Sequence, residues 1–458
     1  MENYPLNLNK REEQDNVRLH FIYSIFNKIK GSSERMFKMN YSDNSVSEKA
    51  ALSLFSSDSP ENPFPIFAQL RETGAVIPIT VPMGGTDRQQ WLVTRMEEVS
   101  QVLKDHARFT VDPETIGGSN EFKKAFMENT DASAPDTFFT GKSMLSVDDP
   151  DHRRLRRLVS KAFTPKYMES LRPRVQKIAD ELLDKVQDRG EMDLVRDYAY
   201  PLPIHVISDM LGVPEADRSQ IHDWSKAISH GLGLGVRAPG VEEHLRAFGE
   251  YTAELVADKR KHPADDLISQ LIAIEEEGDK LSQPELISMI TLLIFAGHET
   301  TSNLIATGTL MLLDHPEQLE KLKADLSLAP SAFEELLRFN GPATMSGPRF
   351  ATQDIVLAGQ PIKKGDMLIP LLKSANRDEC PFAQAEELDI TRTINRHLAF
   401  GHGIHSCLGA PLARVEGDIA FQTLLRRMPN LRLSIPREDI SWHFALSSQS
   451  LAALPVAF

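Results

Sequence analysis

The chain of 458 residues has few cysteines and no long apolar run. Its only two cysteines, Cys380 and Cys407, cannot build a disulfide framework, so a small secreted scaffold is excluded and a reducing compartment, the cytoplasm, is expected. The apolar cluster near the N-terminus, residues 20–26, is too short to cross a bilayer, and no signal-peptide cleavage pattern follows it. We therefore expect no membrane span and no secretion.

Basic domains, sequence repeats and nucleotide-binding glycine motifs are missing as well. The formal net charge is −14, and without a basic domain we expect no nucleic-acid partner. No G-x-G-x-x-G follows a predicted strand, so the chain carries no dinucleotide site of its own. The apolar content of 41% suits one large globular protein or two closely packed lobes. We expect residues 1–56 to be a leader that is disordered or not native, and residues 57–458 to form a single domain.

Apolar spacing predicts a mainly α protein with a few strands. Helices are predicted over residues 63–73 and 96–105, and paired strands over residues 75–80 and 91–94. Residues 109–142 show no clear period. They are typical of a functional loop over a pocket, and a merely flexible insertion is the alternative.

The longest predicted helix runs from Ser282 to Asp314. Ser282 and Glu285 form a capping box at its start, and Pro316 follows its end. The helix is apolar on most sides over residues 286–295, which predicts burial through the middle of the molecule.

Residues 296–301, Ala-Gly-His-Glu-Thr-Thr, interrupt that apolar pattern. A glycine in mid-helix costs about 1 kcal/mol relative to alanine, and a buried Glu299 costs more unless it is used. Taken alone, the segment is equally compatible with Thr300 bonding back to a helix carbonyl and Glu299 reaching solvent. Polar residues at this depth indicate a function.

The most informative segment is residues 400–409, Phe-Gly-His-Gly-Ile-His-Ser-Cys-Leu-Gly. Apolar residues that recur every three or four positions after it, with Pro411 in the first turn, predict an amphipathic helix that begins at Cys407. A helix N-terminus stabilises an anionic sulfur and lowers the pKa of its thiol. Gly403 and Gly409 carry no side chain that would keep a flat macrocycle away. The segment therefore predicts a thiolate presented to heme iron.

Cys407 has two other interpretations. A buried structural cysteine is common, but it leaves the three glycines and two histidines of the segment unexplained. A Cys/His hydrolase would use His405 as the base, although neighbours two apart on a tight loop rarely form such a pair.

A basic helix is predicted from residue 149, with His152 and Arg156 four apart on one face. Such donors can make charge-assisted hydrogen bonds to a partly buried anion. Alone, a basic helix is more often a solvated face.

The motif F-x-x-G-x-H-x-C-x-G resembles the heme-ligand signature of the cytochrome P-450 family, the heme-thiolate monooxygenases. The pattern A-G-x-E-T at residues 296–300 resembles the oxygen-binding stretch of the same family. The likeness runs from about residue 62 to the C-terminus and is closest to soluble bacterial members, especially the branch that tailors macrolides and other polyketides. It implies the cytochrome P-450 fold, a triangular helical prism with a small β-rich lobe and heme between the long central helix and the cysteine loop.

The resemblance also implies roles for individual residues. Cys407 would be the metal ligand, and Thr300 and Glu299 would be catalytic, organising water and relaying protons where the helix opens locally. Contacts to the cofactor, heme b (iron protoporphyrin IX), would come from His152, Arg156, Ala296, Gly297, Thr300, Arg349, Phe400, His405, Cys407 and Gly409. His298 would line the pocket or the surface. The E-x-x-R of Glu335 and Arg338 would be a structural ion pair, with Arg392 as a third member.

The implied reaction inserts one oxygen atom from O2 into a hydrophobic small molecule, by hydroxylation or epoxidation. Electrons would come from an external ferredoxin or flavodoxin with an NAD(P)H-dependent reductase, and the enzyme is expected to be a monomer. Two alternatives stay open: a peroxide-driven peroxygenase of the same fold, expected to lack the Glu299 and Thr300 pair, and a non-catalytic heme-binding sensor, which would not need that pair. The sequence does not choose among macrolide, steroid, terpenoid and fatty-acid substrates.

Overall fold

Helices dominate the computed structural model, as the sequence predicts. The structure describes residues 62–79, 88–118, 137–138, 141–161, 163–231, 240–274, 281–393, 395–445 and 448–458. The helices of this part of the chain are α1 Phe64–Thr73, α2 Met96–Lys104, α3 Asp151–Ser160, α4 Pro165–Ser170, α5 Arg172–Asp184, α6 Pro201–Leu211, α7 Arg218–Gly231, α8 Val241–Lys261, α9 Leu267–Ile274, α10 Gln283–Asp314, α11 Pro316–Ala324, α12 Ala329–Asn340, α13 Leu372–Ala375 and α14 Ala410–Arg427. None of these helices is both long and apolar enough to cross a membrane.

The strands of the described residues form small sheets. They are β1 Val76–Ile79, β2 Gln90–Val93, β3 Phe109–Thr110, β4 Glu191–Asp193, β5 Arg349–Ala351, β6 Ile355–Leu357, β7 Gln360–Ile362, β8 Met367–Pro370, β9 Arg432–Leu433, β10 Trp442–Ala445, β11 Ser448–Leu451 and β12 Pro455–Ala457. The largest sheet has the order β1-β2-β8-β5-β3, with β1 and β2 antiparallel and β2 and β8 parallel. This sheet and α2 share an apolar cluster, which confirms the predicted β-rich lobe.

The long helix α10 organises the larger, helical part. Ser282 accepts a hydrogen bond from the Glu285 N–H (3.4 Å), and the Glu285 carboxylate accepts one from the Ser282 N–H (2.9 Å), so the predicted capping box is confirmed. Most side chains of α10 are buried, and the helix packs against α6, α8 and α14. Packing on several sides explains why apolar residues surround its first half.

The predicted ion pair of α12 is confirmed and lies in the core. The side chains of Glu335 and Arg338 are both 0% exposed, and the guanidinium donates to both carboxylate oxygens at 2.7 and 2.8 Å. Arg392 adds a third charge, with Nε 3.1 Å from Glu335 Oε2. The remaining donors of Arg338 reach the backbone carbonyls of Asn376, Ala385 and Glu387. A single side chain therefore joins α12 to the segment that precedes the cysteine loop.

Two expectations need correction. The last helix, α14, begins at Ala410 and not at Cys407, because Leu408 and Gly409 form a turn before the helical hydrogen bonds start. Residues 109–142 are not all loop, since β3 and a short 3-10 helix, Pro113–Ile116, occupy their first part. The leader expected over residues 1–56 lies outside the described residues.

Replacing Arg338 by methionine tests the buried ion pair. The change leaves a fully buried carboxylate with one cationic partner and takes the side-chain donor from the carbonyls of Asn376 and Ala385. We therefore expect the free energy of unfolding to fall by about 3–5 kcal/mol. The matched control is Arg437→Met, which removes an exposed pair with Asp314 and should cost less than about 1 kcal/mol. Urea denaturation followed by tryptophan fluorescence measures both, and equal losses in the two variants would refute the structural role.

Candidate active site

The loop that carries Cys407 is folded tightly by its own backbone. The Cys407 N–H donates to the Phe400 carbonyl at 2.8 Å, which closes the loop into a ring. Gly403 has a φ of 74°, and a Cβ at this position would lie 2.5 Å from the Leu103 carbonyl oxygen at the end of α2. Only glycine permits both the backbone conformation and this close approach. The predicted glycine-rich loop is therefore a packed structure.

The Cys407 sulfur sits among donors and beside a cation. The N–H groups of Gly409 and Ala410 point to the sulfur, and Arg156 donates to the carbonyl of Ser406 at 2.7 Å. Burial nevertheless raises the pKa of the thiol, and the two N–H groups and the charge of Arg156 only partly offset it. The expectation of a lowered pKa in the protein alone is therefore wrong. A bound cation would reverse this, since a thiol that coordinates a metal loses its proton.

Three cationic or potentially cationic side chains gather near the same loop. The rings of His152 and His405 lie 4.4 Å apart, and His405 Nε2 lies 2.8 Å from Asp148 Oδ1. Arg349 is 6% exposed, and Nη1 donates to the backbone carbonyls of Gly347 and Pro348. The charge of Asp148 also acts on Arg349. The structure thus places His152 beside His405, and Asp148 acts on both His405 and Arg349.

This cluster is short of negative charge. Burial lowers the pKa of Arg349 to about 10, although the charge of Asp148 raises it. Burial, followed by the positive charges of His405 and Arg156, lowers the pKa of His152 to about 4, so its imidazole is neutral at pH 7. In the described residues Arg349 forms no ion pair with a carboxylate. A buried guanidinium without a direct anionic partner suits a ligand that carries a carboxylate.

The middle of α10 is exposed on one side. Ala296 and Thr300, one turn apart, are exposed, whereas the neighbouring His298 and Thr301 are buried. The helix is continuous here, so the local opening implied by the resemblance is not seen, and the Thr300 hydroxyl donates to the Ala296 carbonyl at 3.4 Å. Gly297 allows α6 to approach, since a Cβ there would lie 2.8 Å from Ile207 Cγ1.

Glu299 faces α7. Its Oε1 accepts a short hydrogen bond from the Ser229 hydroxyl. Burial raises the pKa of the Glu299 carboxyl to about 7, and the hydrogen bond from Ser229 lowers it only in part. The carboxyl is therefore divided between its acid and its base form near neutral pH, which suits a group that passes protons. Glu299 does not simply reach solvent, as the alternative held.

His298 corrects an expectation. It neither lines a pocket nor lies on the surface: its side chain is 0% exposed, and Nδ1 is 2.7 Å from the Ile294 carbonyl.

Sequence reasoning missed two residues that hold site groups in place. Asp148 orients His405 across 257 residues of chain, and Ser229 binds Glu299 across 70 residues. Neither carries a local signal, because each acts through a partner distant in sequence.

The residues present fit heme. A cysteine sulfur with two N–H donors can ligate iron, and buried cationic groups beside the same loop can bind propionates. Thr300 and Glu299 lie on α10, whereas Cys407 lies on the loop before α14. Within the described part of the chain, no hydrogen bond or ion pair joins these two parts of the site. They meet through the packing of α10 on α14, the helix that follows the loop.

Comparison with known proteins places this site in a family. The cytochrome P450 family model matches residues 239–441. Cytochrome P450 CYP107DY1 of Priestia megaterium is 47% identical over 80% of this chain and 89% of its own length. The polyketide biosynthesis cytochrome P450 PksS of Bacillus subtilis is 42% identical over 86% of this chain and 96% of its own. The crystal structure of a myxobacterial cytochrome P450, CYP267B1, in complex with myristic acid has a TM-score of 0.80 at 40% identity, covering 88% of this chain and 98% of that one.

The raised pKa of Glu299 predicts a pH-dependent cost to stability. An unfolded glutamate has a pKa of about 4.3, so between about pH 4 and pH 7 the folded protein binds more protons than the unfolded chain, and its stability falls as the pH rises. Relative to Glu299→Gln, the native protein should lose about 3–4 kcal/mol across this range. Urea denaturation at several pH values measures the difference.

The control for this prediction is the same substitution at Glu438, which is exposed. It accounts for the loss of one charge. A difference between the native protein and Glu299→Gln that stays constant with pH would contradict the assigned ionisation.

Proposed function

Because the chain belongs to the cytochrome P450 family and is a monooxygenase of that family, we propose that it binds heme b through Cys407 and inserts one oxygen atom from O2 into a hydrophobic small molecule. The observation that carries this proposal is the Cys407 sulfur, which faces two backbone N–H groups and lies beside Arg156. Hydroxylation or epoxidation is the expected outcome. Residues 57–458 would act as one catalytic domain, as a monomer in the cytoplasm.

The proposed heme contacts divide by chemistry. Cys407 would ligate the iron, and His152, Arg156, Arg349 and His405 would hold the propionates. Ala296, Gly297 and Thr300 of α10, with Phe400 and Gly409 of the loop, would contact the macrocycle. The buried guanidinium of Arg349 supports this, since a propionate would supply the anion that the described residues do not place against it. Heme, when bound, supplies the activation of oxygen.

Thr300 and Glu299 would manage protons. The Thr300 hydroxyl lies on the exposed side of α10. While it donates to the Ala296 carbonyl at 3.4 Å, its oxygen can still accept a hydrogen bond from water. The Glu299 carboxyl, with a pKa of about 7, can give up a proton and take another at physiological pH. This acid and alcohol pair favours an O2-dependent monooxygenase over a peroxygenase or a sensor.

Electrons would come from a separate ferredoxin or flavodoxin and its NAD(P)H-dependent reductase. The arginine-rich helix α3 and Arg414 are the candidate docking face. Arg154 already pairs with Glu285, and Arg414 with Glu334 at 2.7 Å. The positive charge left for an acidic partner is therefore smaller than the number of arginines alone would give.

The substrate class is proposed from the relatives. PksS is named for polyketide biosynthesis, and CYP267B1 was solved with myristic acid. Both names point to long, largely apolar carbon chains, so we propose a polyketide or fatty-acyl substrate.

Polyketides and fatty acids titrated into the heme-loaded protein should shift its absorbance when they bind near the iron.

Loss of the Cys407 thiol tests the proposed iron ligand. In Cys407→Ser the sulfur is gone, so we expect the red-shifted Soret band of the reduced carbon monoxide complex to disappear. The matched control is Cys380→Ser, which alters the chain's other cysteine and should keep the band. Difference absorbance with dithionite and carbon monoxide measures both. A native protein that is loaded with heme and lacks the band would refute the proposal.

Loss of the Thr300 hydroxyl tests the proton role. In Thr300→Ala we expect NAD(P)H oxidation to continue while the fraction of electrons recovered in product falls by about tenfold or more, with peroxide released instead. Thr300→Ser keeps a hydroxyl and should restore most of the coupling. Product and peroxide are quantified per NAD(P)H consumed. Equal coupling in Thr300→Ala and the native protein would show that the hydroxyl is not used.

A further inference from the structure

A cluster of three polar rings lies beside Glu299 and has no assigned role. Tyr200, just before α6, stacks on His222 of α7 with ring centroids 3.7 Å apart, and its ring lies 5.4 Å from that of His298 on α10. Each ring carries a buried polar atom: Tyr200 Oη, His222 Nδ1 and His298 Nε2. None of these atoms has a hydrogen-bond partner among the described residues.

The protonation of His298 follows from its contact with Ile294. Nδ1 is 2.7 Å from a carbonyl oxygen, which only accepts, so Nδ1 must carry the proton. Burial lowers the pKa of His298 to about 4, so the ring is neutral and its Nε2 presents a lone pair. A buried imidazole nitrogen with a lone pair needs a hydrogen-bond donor, and the described residues place none against Nε2.

The three atoms do not pair with one another. The Tyr200 hydroxyl could donate to one ring and accept from the other, but the structure shows neither hydrogen bond among the described residues. Buried polar atoms in proteins almost always have partners, and ordered water supplies them where the side chains do not. Three such atoms on contacting rings are therefore best explained by bound water.

A line of hydroxyls on α7 connects this cluster to Glu299. His222, Ser225 and Ser229 follow each other at spacings of three and four, so they share one face of the helix. Ser225 is 1% exposed and its Oγ has no partner in the described part of the chain. Ser229 donates to Glu299. At the other end, His222 is half-buried and adjoins the exposed Asp223, so this end lies near solvent.

We propose that Tyr200, His222 and His298 hold ordered water between α7 and α10, and that this water, with Ser225 and Ser229, conducts protons from solvent to Glu299. The proposal rests on the proposed function, in which a substrate RH, O2, two electrons and two protons give ROH and water. Each hydroxyl or water passes one proton inward and receives another from the solvent side, so no group is consumed. These side chains position the water and do not touch the substrate.

The first test is a crystal structure of the heme-loaded enzyme at a resolution that shows water. We expect water bonded to Tyr200 Oη and to at least one of the two unpaired histidine nitrogens. A dry cluster, with the three atoms still unpartnered, would overturn the proposal.

The second test removes the Tyr200 hydroxyl. In Tyr200→Phe we expect the carbon monoxide spectrum and the thermal stability to be kept, because the hydroxyl has no protein partner to lose. The rate at which the protonated Glu299 carboxyl exchanges with D2O should fall by about tenfold or more. Infrared spectroscopy follows this exchange, with the Glu299 band assigned by its loss in Glu299→Gln. The solvent isotope effect on NADPH-driven O2 consumption, with an added ferredoxin and its reductase, should rise in parallel. His222→Phe should behave in the same way.

The matched control is Tyr198→Phe. Tyr198 lies two residues earlier and is completely buried, and its hydroxyl, unlike that of Tyr200, has a protein partner: it donates to the Ala420 carbonyl at 2.9 Å. This variant should lose thermal stability and leave the carboxyl exchange and the isotope effect unchanged. Equal exchange in Tyr200→Phe and the native enzyme would overturn the proton route.

Glu299→Gln separates this proposal from the function on which it rests. If that variant couples electrons to product as well as the native enzyme does, Glu299 has no proton role and the route fails with it. If Glu299→Gln impairs coupling while Tyr200→Phe and His222→Phe leave exchange and isotope effect unchanged, the function stands and only the route is overturned.

Discussion

The position of the Cys407 sulfur depends on the buried pair of Glu335 and Arg338. The guanidinium donates to the carbonyl of Asn376, and the Asn376 side chain in turn accepts the N–H of Leu398 at 2.7 Å. Leu398 then bonds through its own carbonyl to Gly401, inside the cysteine loop. A charge pair removed from solvent is strong only when every donor and acceptor is used, and here the spare donors of Arg338 hold backbone carbonyls. The loop is therefore anchored to the helical core by a continuous set of hydrogen bonds.

Desolvation dominates the electrostatics of the site. Burial raises the pKa of Cys407, lowers that of Arg349 to about 10 and lowers that of His152 to about 4, so each group is pushed toward its neutral form. An iron cation beside the thiolate would offset the cost of burying the sulfur as an anion. Carboxylates beside the cationic cluster would offset the cost of burying its positive charges. A ligand that carries both a cation and carboxylates would therefore bind with a more favourable free energy than a ligand that carries only one of them. Heme combines a cationic metal with two propionates, so the proposed heme would match both clusters around this one loop.

Glu299 belongs to a different environment, between α7 and α10. Burial raises the pKa of Glu299 to about 7. Burial also raises the pKa of Tyr200, and the negative charge of Glu299 is the second cause of that shift. The family resemblance implies the role of Glu299, but its pKa depends on burial and on the hydrogen bond from Ser229. Site chemistry that needs a carboxyl poised at neutral pH is set here by helix packing and not by the motif itself.

Local signals determined much of this protein. The capping box of α10, the glycine-rich loop around Cys407 and the pairing of Glu335 with Arg338 depend on residues close in the chain, whose backbone preferences and spacing the sequence displays directly. The tertiary structure alone decided that His298 is buried, that Asp148 binds His405 and that the thiol pKa is raised. These features arise where elements distant in sequence pack together, because burial and long-range contacts set the cost of a charge, and no local pattern records which neighbours a side chain will meet.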